Sequence, residues 1–256
     1  MEKITIICLI YRSIEFCDWV WYSAHKYTEE LKNGEAKFLF VLNDGTEELK
    51  NHLIENNYPF IEINNKIKSE EELFKIGIGW PEYLHRVYKA WNYGIKESDT
   101  EIVCLINSDM FFSPKWLTNL LNKLNEETVV SSKLVEPLNK YGIFRNQITG
   151  SMAYRGEFGS SLSSFNEEAF INFSLNNSKD VIEPGGAFMP LLMYKKQAEL
   201  VNYYPEGNLC GNNFNQIIEY GDENFIKKLN KEGIQFITTL DSIVYHLKEG
   251  EMDLKL

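Results

Sequence analysis

In this 256-residue chain, the residue whose type and position most clearly suggest chemistry is an aspartate that follows an apolar run. Asp109 follows the strand-like run 101–106. Ser113-Pro114 supplies a separate start for the next helix, so Asp109 is not needed as a helix cap. A carboxylate in this position can hold a divalent cation that bridges a diphosphate. The alternative is a turn aspartate that binds nothing.

A second aspartate stands at the end of another apolar run. Asp44 follows the run 37–42, in the sequence Asn43-Asp44-Gly45-Thr46. One interpretation places its side chain in a ligand-binding crevice. The other makes it the N-cap of the following helix, with Glu47 completing a capping box three residues later. Spacing alone leaves both open.

The signatures of other phosphate-handling and hydrolytic enzymes are absent from the sequence. There is no G-x-x-x-x-G-K-[ST] phosphate loop, no G-x-G-x-x-G after the first apolar run, no G-x-S-x-G elbow and no H-E-x-x-H motif. The first run ends in Tyr11-Arg12-Ser13, which lacks the acid that an aspartyl phosphatase needs there. A metal ion on an acidic strand end is the remaining way for this chain to hold phosphate.

The elements that must position these aspartates alternate between short apolar runs and helical patterns. Such alternation predicts right-handed βαβ units and a mostly parallel sheet. In a sheet of this kind, ligands bind beyond the carboxyl ends of the strands, where both aspartates stand. In the first half we predict strands at 4–11, 37–42, 59–63 and 101–106, and helices at 14–32, 47–57, 81–97 and after Ser113-Pro114.

The second half of the chain is less regular. Residues 139–180 are rich in Gly, Ser and Asn and show weak periodicity. We predict a strand at 187–194, a helix at 213–232 that ends at Gly233, and strands at 235–240 and 242–246. Neither an internal repeat nor a proline-rich linker divides the sequence, so we expect a single domain over residues 1–256.

Composition and charge exclude several classes of protein. The chain has 26 basic and 37 acidic residues and a net charge of −11, which argues against binding to nucleic-acid phosphates. No run reaches the roughly 18 apolar residues of a membrane span. The apolar start is typical of a buried first strand rather than of a cleaved leader. Four cysteines without metal-type spacing are expected to be reduced thiols, so we expect a cytoplasmic protein.

Six segments, taken in chain order, resemble the motifs of family-two glycosyltransferases with the GT-A fold. The last, Tyr245-His246-Leu247-Lys248-Glu249-Gly250, is similar to the segment that carries a metal-binding histidine in that family. The others resemble the DDGS turn, the ARNxGI helix, the DxD metal motif, the glycine-glycine strand entry and the ED base motif: Asn43-Asp44-Gly45-Thr46, Ala90-Trp91-Asn92-Tyr93-Gly94-Ile95, Asn107-Ser108-Asp109, Glu183-Pro184-Gly185-Gly186-Ala187-Phe188 and Gly221-Asp222-Glu223. Asn107 stands where the family has the first aspartate of DxD.

The resemblance implies an α/β protein of the GT-A fold, with a mostly parallel central sheet flanked by helices. Residues 1–133 would be the nucleotide-binding half and residues 134–256 the acceptor-binding half. Asp109 and His246 would bind Mn²⁺ or Mg²⁺. Asp222 would be the general base, with Glu223 as the alternative. The nucleotide-sugar would be contacted by Tyr11, Asp44, Arg86, Asn92, Asn107 and Asp109, and the acceptor by Glu183, Gly185 and Gly186.

The implied reaction is metal-dependent transfer of a sugar from a nucleotide-diphosphate donor to a carbohydrate or glycan acceptor, with inversion at the anomeric carbon. A UDP-sugar is the expected donor. Two other functions stay open. A sugar nucleotidyltransferase would carry a glycine- and lysine-rich loop after the first strand, where Tyr11-Arg12-Ser13-Ile14 stands. A non-catalytic nucleotide- or glycan-binding domain would tolerate the missing carboxylate at Asn107.

Overall fold

The computed structural model of the protein describes residues 2–65, 69–79, 82–137, 154–213 and 216–247. Its strands are β1 Ile4–Ile10, β2 Ala36–Asn43, β3 Phe60–Ile63, β4 Ile78–Gly79, β5 Ile102–Asn107, β6 Met110–Phe112, β7 Thr128–Glu136, β8 Tyr154–Arg155, β9 Ile182–Pro184, β10 Leu191–Tyr194, β11 Asn208–Cys210, β12 Ile217–Glu219 and β13 Gln235–His246. Its helices are α1 Ile14–Tyr27, α2 Glu29–Lys32, α3 Glu47–Glu55, α4 Glu70–Lys75, α5 Glu82–Glu97, α6 Trp116–Leu121, α7 Glu167–Asn177, α8 Lys195–Leu200 and α9 Gly221–Lys231, with a 3₁₀ turn at Leu162–Ser164.

One mixed sheet of ten strands draws on both halves of the chain. Eight of its strands lie side by side in the order β3-β2-β1-β5-β10-β7-β13-β6, while β8 pairs with β7 and β9 pairs with β13. The first-half strands β1, β2, β3 and β5 are parallel, as predicted. Because β10 is antiparallel to both β5 and β7, β7 runs in the direction of β5, and β13 is parallel to β7. A smaller sheet has the order β12-β11-β4.

Local sequence explains why the first-half elements form where they were predicted. β1 has the sequence ITIICLI and is buried at nearly every position, as expected for a central strand of a parallel sheet. α1 begins after Ser13, whose hydroxyl accepts from the Phe16 N–H at 3.1 Å. α5 packs against β1 and β2. The side chains of α5 are therefore held at a fixed position relative to the carboxyl ends of these two strands.

Some predicted helix boundaries in the first half are wrong for local reasons. The helix predicted at 14–32 is two helices, because Thr28 at their junction has an extended backbone. The helix predicted to start at Ser113-Pro114 begins at Trp116, with Lys115 as its N-cap. The Ser113 hydroxyl instead donates to the Ile243 carbonyl at 2.7 Å and so ties this turn to β13.

The second half departs further from the prediction. The described part of 213–232, predicted as one helix, contains β12 and then α9. The strand predicted at 187–194 begins only at Leu191. The strands predicted at 235–240 and 242–246 form one strand, β13, whose pairing with β7 shifts register between Thr239 and Ile243. Within 139–180, predicted to be irregular, α7 forms because Asn166 caps it and Phe170 is buried beneath it.

Two apolar clusters make up the core. The larger one is built from the strands of the ten-stranded sheet and the helices packed on them. The smaller one is rich in aromatic rings, centred on Phe111, Phe170 and Tyr245, and joins α7 to the sheet. All four cysteines are free, and three of them are buried. No helix among the described residues is long and apolar enough to cross a membrane.

Candidate active site

Polar side chains emerge at one edge of the large sheet because the strands that carry them run in the same direction. Tyr11 follows β1, Asp44 follows β2 and Asp109 follows β5. Glu136 and His246 are the last residues of β7 and β13. Open α/β sheets bind ligands at the carboxyl ends of their strands, so this edge is the candidate site.

Tyr11, Asp44 and Arg86 form a cluster on one side of this edge. The Arg86 guanidinium lies 5.2 Å from the centre of the Tyr11 ring and donates to the Tyr11 hydroxyl at 3.4 Å. Its Nη1 also lies 3.6 Å from Asp44 Oδ2. The Arg12 guanidinium lies 4.5 Å from the same ring centre. Arg86 Nε is buried without a hydrogen-bond partner among the described residues, which leaves a donor for a ligand.

Asp44 does not cap the helix that follows it. Thr46 is the N-cap of α3, and its hydroxyl accepts from the Leu49 N–H at 3.2 Å. The backbone of Asp44 has a positive φ of 58°, which lies in the left-handed region. The N-cap interpretation of Asp44 is therefore wrong, and the carboxylate is instead paired with Arg86.

Two asparagines, neither of which the sequence analysis proposed as a site residue, fix the backbone at Arg86. The Asn65 amide donates to the Arg86 carbonyl at 3.0 Å and to Asn43 Oδ1 at 2.8 Å. Asn43 Nδ2 lies 3.4 Å from the same carbonyl. Both residues are buried. Their role depends on the approach of a helix from elsewhere in the chain, which neither residue type nor spacing reveals.

Asp109, His246 and Glu136 form a second cluster at the same edge. His246 Nε2 lies 3.2 Å from Asp109 Oδ2, and His246 Nδ1 lies 2.9 Å from Glu136 Oε1. All three side chains are largely buried, with exposed fractions of 17%, 9% and 9% for His246, Asp109 and Glu136. Burial alone would lower the pKa of His246, but the carboxylates of Asp109 and Glu136 outweigh it and raise the pKa to about 10. The cluster therefore stabilises positive charge.

The donor set of this cluster fits a divalent cation that is completed by substrate. Two ligands of one small cation lie about 3 Å apart, because each stands about 2.1 Å from it at roughly a right angle. The 3.2 Å between Asp109 Oδ2 and His246 Nε2 satisfies this condition. A carboxylate with an imidazole suits Mn²⁺. Among the described residues no group of three or more His, Cys, Asp or Glu side chains is arranged to hold a metal. A cation held by Asp109 and His246 would need further oxygen ligands from outside the chain.

Glu136 is a site residue that the sequence analysis missed. Its carboxylate holds the Nδ1 side of His246, which orients Nε2 towards Asp109. A carboxylate on the far nitrogen of a metal-ligating histidine fixes the tautomer and the ring orientation. A signal was available, because Glu136 ends a buried run in the same way that Asp109 follows one.

Asp222 lies at the start of α9, where its carboxylate accepts a hydrogen bond from the Tyr88 hydroxyl at 2.9 Å. Burial raises the pKa of Asp222, and the bond from Tyr88 opposes that shift. A carboxyl group with a raised pKa is suited to accept a proton. Glu223 is the next residue on the helix, partly exposed, and its negative charge also raises the pKa of Asp222.

Asn92 and Asn107 have different positions relative to the nucleotide-side cluster. Asn92 Oδ1 accepts from the Tyr204 N–H at 3.0 Å, and its Nδ2 donates to the Tyr204 carbonyl at 2.9 Å. Asn92 is six residues from Arg86 on α5, which turns it about 120° away around the helix axis. Asn92 therefore holds the loop at Tyr204, and its predicted contact with the nucleotide-sugar stays a prediction. Asn107 ends β5, at the same edge as Asp109.

The predicted acceptor residues lie at a turn packed against β13. Glu183 is in β9, where its Cα pairs with that of Thr238. Gly185 and Gly186 follow with φ values of 75° and 150°, both in the region that favours glycine. The Gly185 carbonyl accepts from the Thr238 hydroxyl at 2.7 Å. The two glycines therefore have a backbone role, and the acceptor role of all three residues stays a prediction.

Comparison with known families and proteins gives one sequence match. Residues 81–189 match the family model described as glycosyl transferase family 2. This segment contains Arg86, Asp109, Glu136 and the glycine pair. A search of curated proteins by sequence found no match.

Solved structures share the fold at low sequence identity. The structure of S. aureus TarS residues 1–349 is 13% identical, with a TM-score of 0.56, and the match covers 95% of this chain and 60% of that one. GalNAc-T7, solved with UDP, GalNAc and Mn²⁺, is 11% identical, with a TM-score of 0.59 and coverage of 96% and 44%. The mannosyltransferase PcManGT from Pyrobaculum calidifontis, solved with GDP-Man and Mn²⁺, is 11% identical, with a TM-score of 0.56 and coverage of 96% and 56%.

These comparisons confirm the resemblance to glycosyl transferase family 2 over residues 81–189 and the predicted α/β GT-A fold class. The chain spans between 44% and 60% of the length of these three structures.

Proposed function

We propose that this protein transfers a sugar from a nucleotide-diphosphate donor, a UDP-sugar, to a hydroxyl group of a carbohydrate or glycan. One observation supports this above all others. A cluster suited to a nucleotide, Tyr11 with Asp44 and Arg86, and a cluster suited to a cation, Asp109 with His246, stand at the same edge of the sheet. A nucleoside diphosphate joined to a sugar needs both, one for its base and one for its phosphates.

The donor would lie across these two clusters. Tyr11 and Asp44 would contact the base, and Asp44 can accept a hydrogen bond from a base N–H. The buried Nε of Arg86 supplies a donor on the same side. GalNAc-T7 was solved with UDP and PcManGT with GDP-Man, so relatives of this fold accept different bases.

Asp109 and His246 would hold a divalent cation, Mn²⁺ or Mg²⁺, on the diphosphate. The cation would offset the negative charge that develops on the leaving phosphate oxygens. Glu136 would hold His246 in place from its other nitrogen, at the observed 2.9 Å. GalNAc-T7 and PcManGT were both solved with Mn²⁺.

Asp222 would act as the general base. The acceptor oxygen forms a bond to the anomeric carbon as the bond from that carbon to the diphosphate oxygen breaks. The electron pair of the broken bond stays on the nucleoside diphosphate, and the proton of the acceptor hydroxyl passes to Asp222. Attack from the face opposite the leaving group inverts the anomeric carbon. The half-buried position and raised pKa of Asp222 support this role.

Release of UDP from a panel of UDP-sugars tests the proposal, with and without simple saccharides as acceptors, in Mn²⁺. A positioned base contributes about 10²–10⁴-fold in rate. We therefore expect Asp222→Asn to lower kcat by at least about 100-fold, and Glu223→Gln to lower it by far less. The reverse order would make Glu223 the base. Tight binding of UDP without turnover of any sugar would favour a non-catalytic binding domain instead.

A further inference from the structure

The Tyr88 hydroxyl makes two hydrogen bonds to a single residue that lies 134 positions away in the sequence. It donates to Asp222 Oδ1 at 2.9 Å and accepts from the Asp222 backbone N–H at 3.2 Å. Burial raises the pKa of Tyr88, and the charge of Asp222 raises it further, so the phenol stays protonated and able to donate. One hydroxyl therefore fixes both the side chain and the backbone of Asp222.

The start of α9 is built to admit the Tyr88 ring. A Cβ on Gly221 would stand 2.6 Å from Tyr88 Cε2 and 2.6 Å from the Gly207 carbonyl oxygen, so only glycine fits there. The Gly221 N–H is taken by Asn208 Oδ1 at 3.0 Å. The two N–H groups of Gly221 and Asp222 are thus both satisfied by side chains from outside the helix.

An aromatic stack holds the Tyr88 ring in this position. Tyr88 stacks on Tyr204 with ring centres 5.6 Å apart, and Tyr204 stacks on Phe225 of α9 at 3.9 Å. Tyr88 and Tyr204 are both buried. The Tyr204 hydroxyl has no hydrogen-bond partner among the described residues, in contrast to that of Tyr88. The two tyrosines therefore share the packing and differ in what their hydroxyls do.

We infer that Tyr88 is a positioning residue for Asp222, holding its carboxylate in the orientation that takes the proton from the acceptor hydroxyl. This inference rests on the proposed function, in which Asp222 is the base. Two bonds from one rigid, buried ring remove both the rotation of the carboxylate and the sliding of the first helical turn. A base held in the productive orientation loses little entropy on the way to the transition state.

The groups that face Asp222 determine what removal of the hydroxyl should do. Burial and the neighbouring charge of Glu223 raise the pKa of Asp222, while the Tyr88 hydroxyl and the N–H groups of the first helical turn lower it. The Tyr204 phenol faces the same carboxylate and stays neutral, because burial raises its pKa well above the ordinary value. Loss of the Tyr88 hydroxyl should therefore raise the pKa of Asp222.

Tyr88→Phe tests the inference, with Tyr204→Phe as the matched control. A hydrogen bond to a charged group corresponds to about one pKa unit or more. We expect Tyr88→Phe to lower kcat about tenfold, to move the acid limb of the kcat–pH profile up by about one unit and to leave the donor KM unchanged. Tyr204→Phe removes an unpaired hydroxyl and should leave kcat, KM and the pH profile at wild-type values. Melting temperatures of both variants check that the stack is intact.

Asp222→Asn and the double variant with Tyr88→Phe separate this inference from the function it rests on. If Tyr88 acts through Asp222, Tyr88→Phe has no further effect on kcat in the Asp222→Asn background. If Asp222→Asn lowers kcat while Tyr88→Phe keeps the wild-type kcat and pH profile, the inference is overturned and the proposed function stands. Equal losses from Tyr88→Phe and Tyr204→Phe would make the role one of packing and would also overturn it. Full turnover by Asp222→Asn would overturn the proposed base.

Discussion

At the scale of single residues, the geometry of the site depends on which atom of each side chain makes each contact. His246 has one nitrogen on Glu136 and the other on Asp109. A cation held by Asp109 and His246 would therefore depend on Glu136, a residue that would not touch it. Removal of the Glu136 carboxylate should therefore weaken Mn²⁺ binding without removing a metal ligand.

Glu136→Ala should weaken Mn²⁺ binding by about 10–100-fold, the usual effect of removing a partner that orients a metal ligand. Glu136→Gln is the matched control, because an amide oxygen can still accept from His246 Nδ1. Titration of Mn²⁺ in the presence of UDP measures both. Wild-type affinity in the alanine variant would show that Glu136 does not orient His246.

Residue types and spacing predicted which residues stand at the carboxyl ends of the strands better than they predicted the partner of each residue. Asp44 and Asp109 were found from their positions after apolar runs, because the end of a parallel strand is visible in sequence. Asn92 was placed in the nucleotide pocket, yet its amide binds the Tyr204 backbone. Tyr204 lies in a loop 112 residues away, and no local pattern reports such a contact.

At the scale of elements, the long strands and helices before Ser113 were predictable, whereas the nine-residue strand β7 and the short strands of the second half were not. β1 and α5 each carry a full pattern of apolar residues in their own sequence. β9, β11 and β12 have three residues each and are defined by pairing with other strands. β13 was split in two because the register shift at Thr239 interrupts its pattern.

One ionic cluster joins α1 to α7, two elements that cover the aromatic part of the core. Glu167 accepts hydrogen bonds from Lys26 at 2.8 Å, Tyr27 at 2.5 Å and Tyr22 at 3.2 Å. Burial alone would raise the pKa of Glu167, but these bonds outweigh it and hold the pKa below its ordinary value. The ionised carboxylate therefore stabilises the folded state.

Glu167→Gln should lower the free energy of unfolding at neutral pH by about 1–2 kcal/mol. Because the folded-state pKa is lowered, the contribution is complete above the ordinary pKa of about 4.3 and is lost as the pH falls through the folded-state value. The difference between wild type and variant should therefore shrink below about pH 4. Denaturant unfolding at pH 7 and pH 3 measures it, with the exposed neighbour Glu168→Gln as control. A difference that stays constant with pH would contradict this account.

At the scale of the whole molecule, the common direction of the strands creates the site. β1, β2, β5, β7 and β13 come from both halves of the sequence and deliver their ends to one edge. The order of the strands could not be read from the sequence. β10 lies between β5 and β7 in the sheet, yet it begins at Leu191, 84 residues after β5 ends at Asn107. The single domain over residues 1–256 and its two functional halves stay predictions.

The net charge of −11 opposes the binding of a negatively charged nucleotide-sugar. In the proposed reaction, a diphosphate would approach an acidic protein at an edge that carries Asp44, Asp109 and Glu136. The positive charges of Arg86 and Arg12, beside Tyr11, partly offset this negative charge. A cation at Asp109 and His246 would have to compensate on the phosphate side.

Thermal unfolding with UDP, GDP, CDP and ADP, each in Mn²⁺ and in EDTA, tests this central claim most directly. A ligand at about 100 times its Kd adds about 2.7 kcal/mol to the free energy of unfolding. We predict a rise in Tm with UDP that requires Mn²⁺, is lost in Asp109→Ala and persists in Asp180→Ala, whose carboxylate is 78% exposed on the surface. An unchanged Tm with every nucleotide, or a rise that survives both EDTA and Asp109→Ala, would contradict a cation-dependent nucleotide site.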